Sequence, residues 1–478
     1  MPNDTRPEGV PAPLIDALKQ VVGPKGYIDD ASAMDGYMKD WRGLFHGRTP
    51  LVVRPASTEE AAETVRLCAE ARVPMVPQAA NTGLVGGSVP DESGSQILIS
   101  VSRMNRVLDV DPVNMTMTVQ AGCVLAAVQQ AAGDAGCLFP LSLAAEGSCQ
   151  IGGNLSSNAG GNNTVRYGNT RDLVLGLEVV LPDGRVWNGL RSLRKDNAGY
   201  DLKHLFIGAE GTLGLITAAV LKLYPRPRAR EVGMAGIADA AASLELLTRL
   251  RATAGDYITS FEFLPRIGVE FVMRHVPGTG DPFAEPHPAY ALIELTSSDP
   301  DAPLRDKLES VLADAYEAGL VRDAVLAESD AQADALWKLR EEMSDSQKPE
   351  GASIKNDITV PVSRMAEFIE ACTKQVEAAV DGIRVVAFGH VGDGNVHFNL
   401  SQPVGGDPKA FLARWDEVAG IVNDSVAAMG GSFAAEHGVG RLRRKYLEQY
   451  RGGVELDLMR AVKRAVDPHN LMNPGKVV

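Results

Sequence analysis

A chain of 478 residues exceeds one ordinary domain, and 45% hydrophobic with 23% charged content provides a sizeable core under a charged surface. The net charge of −14 argues against nucleic acid as a partner, since phosphate binding needs a basic surface; a local cationic pocket remains open. Five scattered cysteines (Cys68, Cys123, Cys137, Cys149, Cys372) without a CxxC pair point to reduced thiols in a cytoplasmic protein, not to a disulfide framework.

The N-terminus has no basic region followed by an apolar run, and no stretch of about 18 apolar residues occurs, so neither a signal peptide nor a spanning helix is expected. A helical lead, with its helix at 12–21, occupies residues 1–46. Leu51 to Val53 then reads as a strand, and Ser57 starts a helix with Glu60 completing a capping box. Its apolar stripe is Ala61, Val65, Cys68 and Ala69. Val73 to Val76 follows as a strand, and this opening predicts parallel neighbours. Next come strand-like runs at 96–101, 107–110 and 115–121, a helix at 123–135, and a hairpin from Leu173 to Trp187 turned by Pro182, Asp183 and Gly184. A last strand lies within 205–224, and the Pro225 to Arg228 stretch marks a boundary. The block 47–228 is α+β with mixed strands.

From 229 to 425 helical periodicity at 238–253 alternates with strand-like runs at 258–264, 290–296, 384–390 and 395–400. This predicts an antiparallel sheet covered by helices. The closing segment, 426–478, is helical apart from the glycine-rich turn at 430–440.

Two glycine-bearing segments, 77–88 and 148–161, dominate the first block. Small residues after a strand let backbone N–H groups converge on an anion such as a pyrophosphate. Neither matches GxGxxG or GxxxxGK[ST], so the usual dinucleotide and P-loop readings are poor. One such loop is more readily a structural turn; two, both rich in Asn, Ser and Thr donors, favour a dinucleotide.

The sharpest chemistry lies between Phe388 and Asn399. Asp393-Gly394 signals a two-residue type I′ turn, and counting outward pairs His390 with His397. Their Cβ atoms would then stand about 4.5–5.5 Å apart on one face, which Asn399 shares. Glu436 is the third ligand candidate: two His and one carboxylate leave open positions, as in a catalytic metal site. A histidine on a strand is more often a hydrogen-bonded core residue. Three of the chain's eight histidines falling in two short glycine-flanked motifs weigh against that here. Trp337 to Ser344 reads as helix, with Arg340 and Ser344 on one face, and Lys355 follows on a strand-like run at 352–357. An Arg fork suits a carboxylate, although charge pattern alone favours a solvated helix.

The two loops, with Gly208 to Ile216 and Asn473 to Lys476, resemble the FAD-linked oxidases of the vanillyl-alcohol oxidase and p-cresol methylhydroxylase type over nearly the whole chain. The resemblance implies a two-part FAD-binding domain of mixed sheets with helices at 47–228, an antiparallel-sheet substrate (cap) domain at 229–425, and a segment, 426–478, closing the active site. It implies that Gln78, Ala79, Ala80, Asn81, Thr82, Gly83, Gly87, Ser88, Ser148, Cys149, Gly152, Gly153, Ser156, Asn158 and the Ile216 backbone cradle FAD, with Asn473 near the flavin ring. The first loop departs from its relatives at Gln78 to Asn81, where Arg and several glycines are common; alanine restricts positive φ, so a tighter loop is expected. Relatives that bond FAD covalently use His or Cys in these loops. The first has neither, and Cys149 stands where Ser, Thr or Ala is typical, so FAD is expected to be non-covalent.

The runs HVGDGNVHFN and AAEHG are similar to the D-2-hydroxyglutarate and D-lactate dehydrogenase branch of that family. This implies that His390, His397 and Glu436 bind a divalent metal, usually zinc, and that His437 is the acid–base residue. It also implies that Arg340, Ser344 and Lys355, with Asn399, bind the substrate, the first three at its distal carboxylate; many relatives have Thr at position 344. A bound Lewis acid lowers the pKa of a hydroxyl, and His437, with an intrinsic pKa near about 6.5, can take its proton as the Cα hydride passes to flavin. The clamp favours D-2-hydroxyglutarate, then D-malate, because lactate or glycolate would leave buried cations unpartnered. A second reading is a flavin-binding protein without redox turnover, such as the alkyl-glycerone-phosphate synthases, whose His-rich segment is not found here. An acceptor such as electron-transfer flavoprotein or a quinone is expected, and a homodimer is the base-rate expectation.

Overall fold

The protein was described as a computed structural model covering residues 9–478. The chain forms two units: one from the residues up to Gly161, Gly168–Arg226 and Glu436–Val478, the other from Asn162–Tyr167 and Pro227–Ala435.

In the first unit, β1 (Tyr27–Ile28), β2 (Val52–Val53), β3 (Met75–Gln78) and β4 (Ile97–Ser100) form a sheet of order β1-β2-β4-β3. β4 runs parallel to both β2 and β3, as the opening of the sequence suggests. The intervening helix, Thr58–Glu70, begins where Ser57 accepts the Glu60 amide at 3.3 Å. Glu60 does not complete a capping box; its carboxylate takes the Ala56 amide instead, at 2.7 Å. Ala61, Thr64, Val65 and Cys68 form its buried face. A second sheet of order β5-β6-β10-β8-β9 is antiparallel throughout: β5 (Val107–Asp111), β6 (Thr116–Gln120), β8 (Val174–Val180), β9 (Val186–Gly189) and β10 (Leu215–Lys222). β7 (Cys137–Leu138) pairs with β11 (Tyr224–Pro225). The chain end is tied in by Lys463, whose ammonium donates to the Thr212 and Met472 carbonyls at 2.7 and 2.8 Å and to Asp467 at 2.6 Å. Met472 then bridges Met75 of β3.

The second unit is built on one seven-stranded antiparallel sheet, of order β15-β12-β14-β13-β17-β18-β16. Its strands are β12 (Ala229–Ile237), β13 (Ile258–Pro265), β14 (Ala289–Ser297), β15 (Val321–Leu326), β16 (Ser353–Thr359), β17 (Arg384–His390) and β18 (Asn395–Ser401). β12 and β15 are additions to the strands read from the sequence. Both faces are covered. On one, Phe261, Ile293 and Phe398 pack against Leu246, Leu308, Phe368 and Val422 of helices; on the other, Leu264, Leu292, Val386 and Phe388 meet Val269, Phe271, Leu336 and Trp337. Alternation along the strands therefore puts Glu262, His390, His397, Asn399, Lys355 and Asp357 on the second face.

Two local expectations are corrected. β17 and β18 pair Phe388 with His397 and Val386 with Asn399, so His390 does not stand directly opposite His397. Val391 donates to the Phe261 carbonyl of β13 at 3.0 Å, which leaves a longer connection than a two-residue turn. Asp393 closes that connection by accepting the Asn395 amide at 3.0 Å. The register differs by two residues, so the faces are preserved and the two histidines lie diagonally. The second correction concerns the helix bearing Arg340, Asp330–Glu341, which ends before Ser344; Ser344 lies in the turn that follows.

Candidate functional site

In the first unit the two glycine loops pass close to one another, Gly153 beside Ala79. Gln78, at the end of β3, donates to the Tyr37 and Ser88 carbonyls at 2.8 and 2.9 Å, closing the loop between them. Asn81 takes φ +57, the left-handed region that Asn tolerates better than most residues. Its amide donates to the Gly36 and Lys39 carbonyls, and its oxygen accepts from the Ser88 hydroxyl at 2.9 Å. The side chains of Gln78, Asn81 and Ser88 thus shape the loop. A Cβ on Gly153 would lie 3.2 Å from that of Ala79, and one on Gly152 2.9 Å from that of Ala121. These contacts account for glycine in the second loop where alanine replaces it in the first.

The second loop carries the short helix Ile151–Ser157, ended by Asn158 at φ +51. Cys149 is buried, and burial pushes its thiol above the ordinary value. Ser148 donates to the Ala145 carbonyl at 3.3 Å. Thr82 and Gly83 continue the first loop, and a Cβ on Gly83 would meet nothing. Ile216 is buried on β10. Asn473, 1% exposed, joins the segments: its amide donates to the Gly87 carbonyl at 2.9 Å and the Glu210 carbonyl at 2.7 Å. Its side-chain oxygen is buried without a hydrogen-bond partner. An unmet buried acceptor costs about 1–3 kcal/mol, so it calls for a donor from a bound group and fits a cofactor here.

In the second unit a row of ionisable groups crosses the sheet. Glu262 of β13 pairs in register with His390 of β17, and Asp357 of β16 with His397 of β18. The Glu262 carboxylate is fully buried; one oxygen lies 2.6 Å from His390 Nδ1 and the other accepts Arg340 Nε at 2.6 Å. Burial alone would raise this carboxyl, but His390 and Arg340 outweigh it and hold it at about 2. The two imidazoles are 5.6 Å apart, edge to face, and Asp357 lies 3.6 Å from His397 Nδ1. The Glu262 carboxylate at Nδ1 of His390 is the partner metal-bound histidines commonly use, whereas Asp357 Oδ1, beside His397, accepts the Asn395 amide at 2.9 Å.

Arg340 is buried, stacked 4.9 Å from the Phe388 ring, with a terminal nitrogen 3.4 Å from His390 Nε2. It is not an unpaired cation, because Glu262 neutralises it, so a monocarboxylate such as lactate would not leave it unpartnered. Lys355 donates to the Ser344 carbonyl and hydroxyl at 2.9 and 3.0 Å, and its strand partner on β18 is Asn399. Lys355, Ser344 and Asn399 thus form one polar group, while Arg340 belongs with His390. Ala435, the last residue of this unit, donates to the Asp357 carbonyl at 3.3 Å, and Glu436 and His437 follow it in the chain. Glu262 and Asp357 were not foreseen; the signal was an acid isolated among apolar strand residues, as in Phe261-Glu262-Phe263.

The family model of an FAD binding domain matches residues 49–189, and that of the C-terminal domain of FAD linked oxidases matches 226–477. The D-2-hydroxyglutarate dehydrogenase of Xanthomonas citri pv. viticola is 36% identical over 467 residues, covering 97% of each chain. The mitochondrial D-2-hydroxyglutarate dehydrogenase of Bos taurus is 38% identical, over 97% of this chain and 82% of that one. Among solved structures, p-cresol methylhydroxylase with substrate bound aligns with a TM-score of 0.77 at 16% identity, over 99% of this chain and 98% of that one. An alkyldihydroxyacetonephosphate synthase aligns at 0.75 and 19%, over 98% and 87%. Those two likenesses show the α+β fold, mixed sheets followed by an antiparallel sheet. The chain belongs to the FAD-linked oxidases and, within them, to the D-2-hydroxyglutarate dehydrogenase family.

Proposed function

We propose that the protein oxidises D-2-hydroxyglutarate to 2-oxoglutarate, with D-malate as a second substrate, and passes the electrons to a soluble or quinone acceptor. The observation that carries this reading is the row of carboxylate–imidazole pairs, Glu262 with His390 and Asp357 with His397, on one face of the sheet. The curated relatives' activity supports the choice of a dicarboxylate, as does the Lys355–Ser344–Asn399 group.

FAD, when bound non-covalently in the first unit, supplies the hydride acceptor. Cys149 supports the non-covalent reading, since a buried thiol kept protonated is a poor nucleophile. A divalent metal, zinc by the family resemblance, would be held by His390, His397 and Glu436 and would supply a Lewis acid for the substrate hydroxyl. Glu262 fixes the His390 tautomer, and Asp357 sets a negative charge beside His397. His437 accepts the hydroxyl proton while the Cα–H leaves as hydride, so two electrons and two protons depart from each substrate. Arg340, Ser344, Lys355 and Asn399 bind the carboxylates. No helix among the described residues is long and apolar enough to cross a membrane; the five cysteines are all free and buried, in keeping with a reducing cytoplasm. A homodimer stays part of the proposal.

Steady-state turnover with a dye acceptor tests it: kcat/KM should be highest for D-2-hydroxyglutarate, and preference for D-lactate would refute the dicarboxylate assignment.

A further inference from the structure

Glu210 holds a position that neither the sequence expectations nor the proposed chemistry uses. Its backbone lies at φ +51, in the left-handed region where a non-glycine residue persists only when its surroundings fix it. Its N–H donates to the Ser156 carbonyl at 2.8 Å, and its carbonyl accepts from Asn473 at 2.7 Å. Each carboxylate oxygen takes one amide: Oε1 from Val439 at 2.7 Å, Oε2 from Gly440 at 2.8 Å. The loop is shaped around this carboxylate. A Cβ on Gly438 would stand 2.7 Å from Oε1, and one on Gly87 3.2 Å from Oε2. Gly438 and Gly440 both take positive φ, +76 and +51. Burial presses the carboxyl up to about 7 against the pull of the two amides and Arg443.

Ser156, Asn473 and Gly87 are proposed cofactor contacts, while Val439 and Gly440 follow His437 closely in the chain. We infer that Glu210 is a positioning residue, clamping the loop after His437 to the cofactor cradle so that His437 is held in place to accept the substrate proton. This rests on His437 being that acceptor.

Glu210→Gln keeps the side chain's shape but turns one acceptor into an amide group facing an N–H. The expected result is a fall in kcat of about tenfold to a hundredfold, with KM for D-2-hydroxyglutarate within about twofold. FAD content and visible spectrum should match wild type. In a His437→Ala background the same substitution should change the residual rate by less than about twofold, because the residue it positions is gone. Unchanged kcat, or an equal loss in both backgrounds, overturns the inference and leaves the His437 reading standing. Wild-type turnover by His437→Ala alone overturns that reading and the inference with it. Should Glu210→Gln fail to load FAD, Gly438→Ala, which presses a Cβ on the same carboxylate, decides by the same comparison. Loss of FAD from both would make Glu210 a cofactor residue only and overturn the inference.

Discussion

Replacing Glu262 by Ala should destabilise the protein more than any single change at the site's rim. Both oxygens of this fully buried carboxylate are engaged, at 2.6 Å to Arg340 and 2.6 Å to His390, and both partners are themselves buried. Removing one member of a buried pair leaves the other charge uncompensated, which costs about 3–5 kcal/mol. Glu262→Gln keeps the volume and loses the charge, so a smaller loss of about 1.5–3 kcal/mol is expected. A Glu262→Met, Arg340→Met double variant removes both charges and should recover most of the stability. Urea midpoints of the metal-free protein, converted with the measured m-values, give these differences. Because the folded carboxyl sits at about 2 against an ordinary 4.5, its contribution is complete above 4.5 and disappears as pH falls toward 2. The gap between wild type and Glu262→Gln should therefore be constant near neutrality and narrow only in acid. A Glu262→Ala protein within about 1 kcal/mol of wild type at pH 7 would show that this carboxylate does not compensate Arg340.

Chelation should lower kcat and added zinc restore it, and His397→Ala should lose its metal by elemental analysis; full retention of metal in that variant would remove His397 from the ligand set. Lys355→Met should raise KM for D-2-hydroxyglutarate about tenfold to a hundredfold, the worth of a charge-assisted hydrogen bond, while leaving D-lactate nearly unchanged. An equal rise for both acids would place Lys355 elsewhere. Acid precipitation should leave a colourless pellet and a yellow supernatant, and a yellow pellet would show a covalent flavin after all.

Much of this was legible in the sequence. Ser57 announced its helix, the two loops pointed to the FAD binding domain whose model matches residues 49–189, and the concentration of His390, His397, Glu436 and His437 singled out the residues proposed to carry the chemistry. What was missed depends on long-range pairing. The turn rule for Asp393-Gly394 misplaced the hairpin register because Val391 bonds to β13, more than a hundred residues earlier in the chain. Glu262 is invisible as a partner of His390 for the same reason: only the order of strands in the sheet brings them together. The charge pattern alone put Arg340 on a solvated helix, because its counter-ion, Glu262, lies on a distant strand. β15 escaped notice since the short run Val321–Leu326 carries exposed Arg322 and Asp323 on an edge strand.

In the proposed reaction hydride passes from D-2-hydroxyglutarate to the flavin while His437 takes the proton. Anaerobic mixing followed at the flavin absorption band tests it most directly. Wild type should bleach fully with D-2-hydroxyglutarate, and His437→Ala, loaded with FAD to the same extent, should bleach at least a hundredfold more slowly, on the order of a lost general base. No bleaching of the wild type would exclude D-2-hydroxyglutarate as the hydride donor, and equal rates for the two proteins would exclude His437 as the proton acceptor.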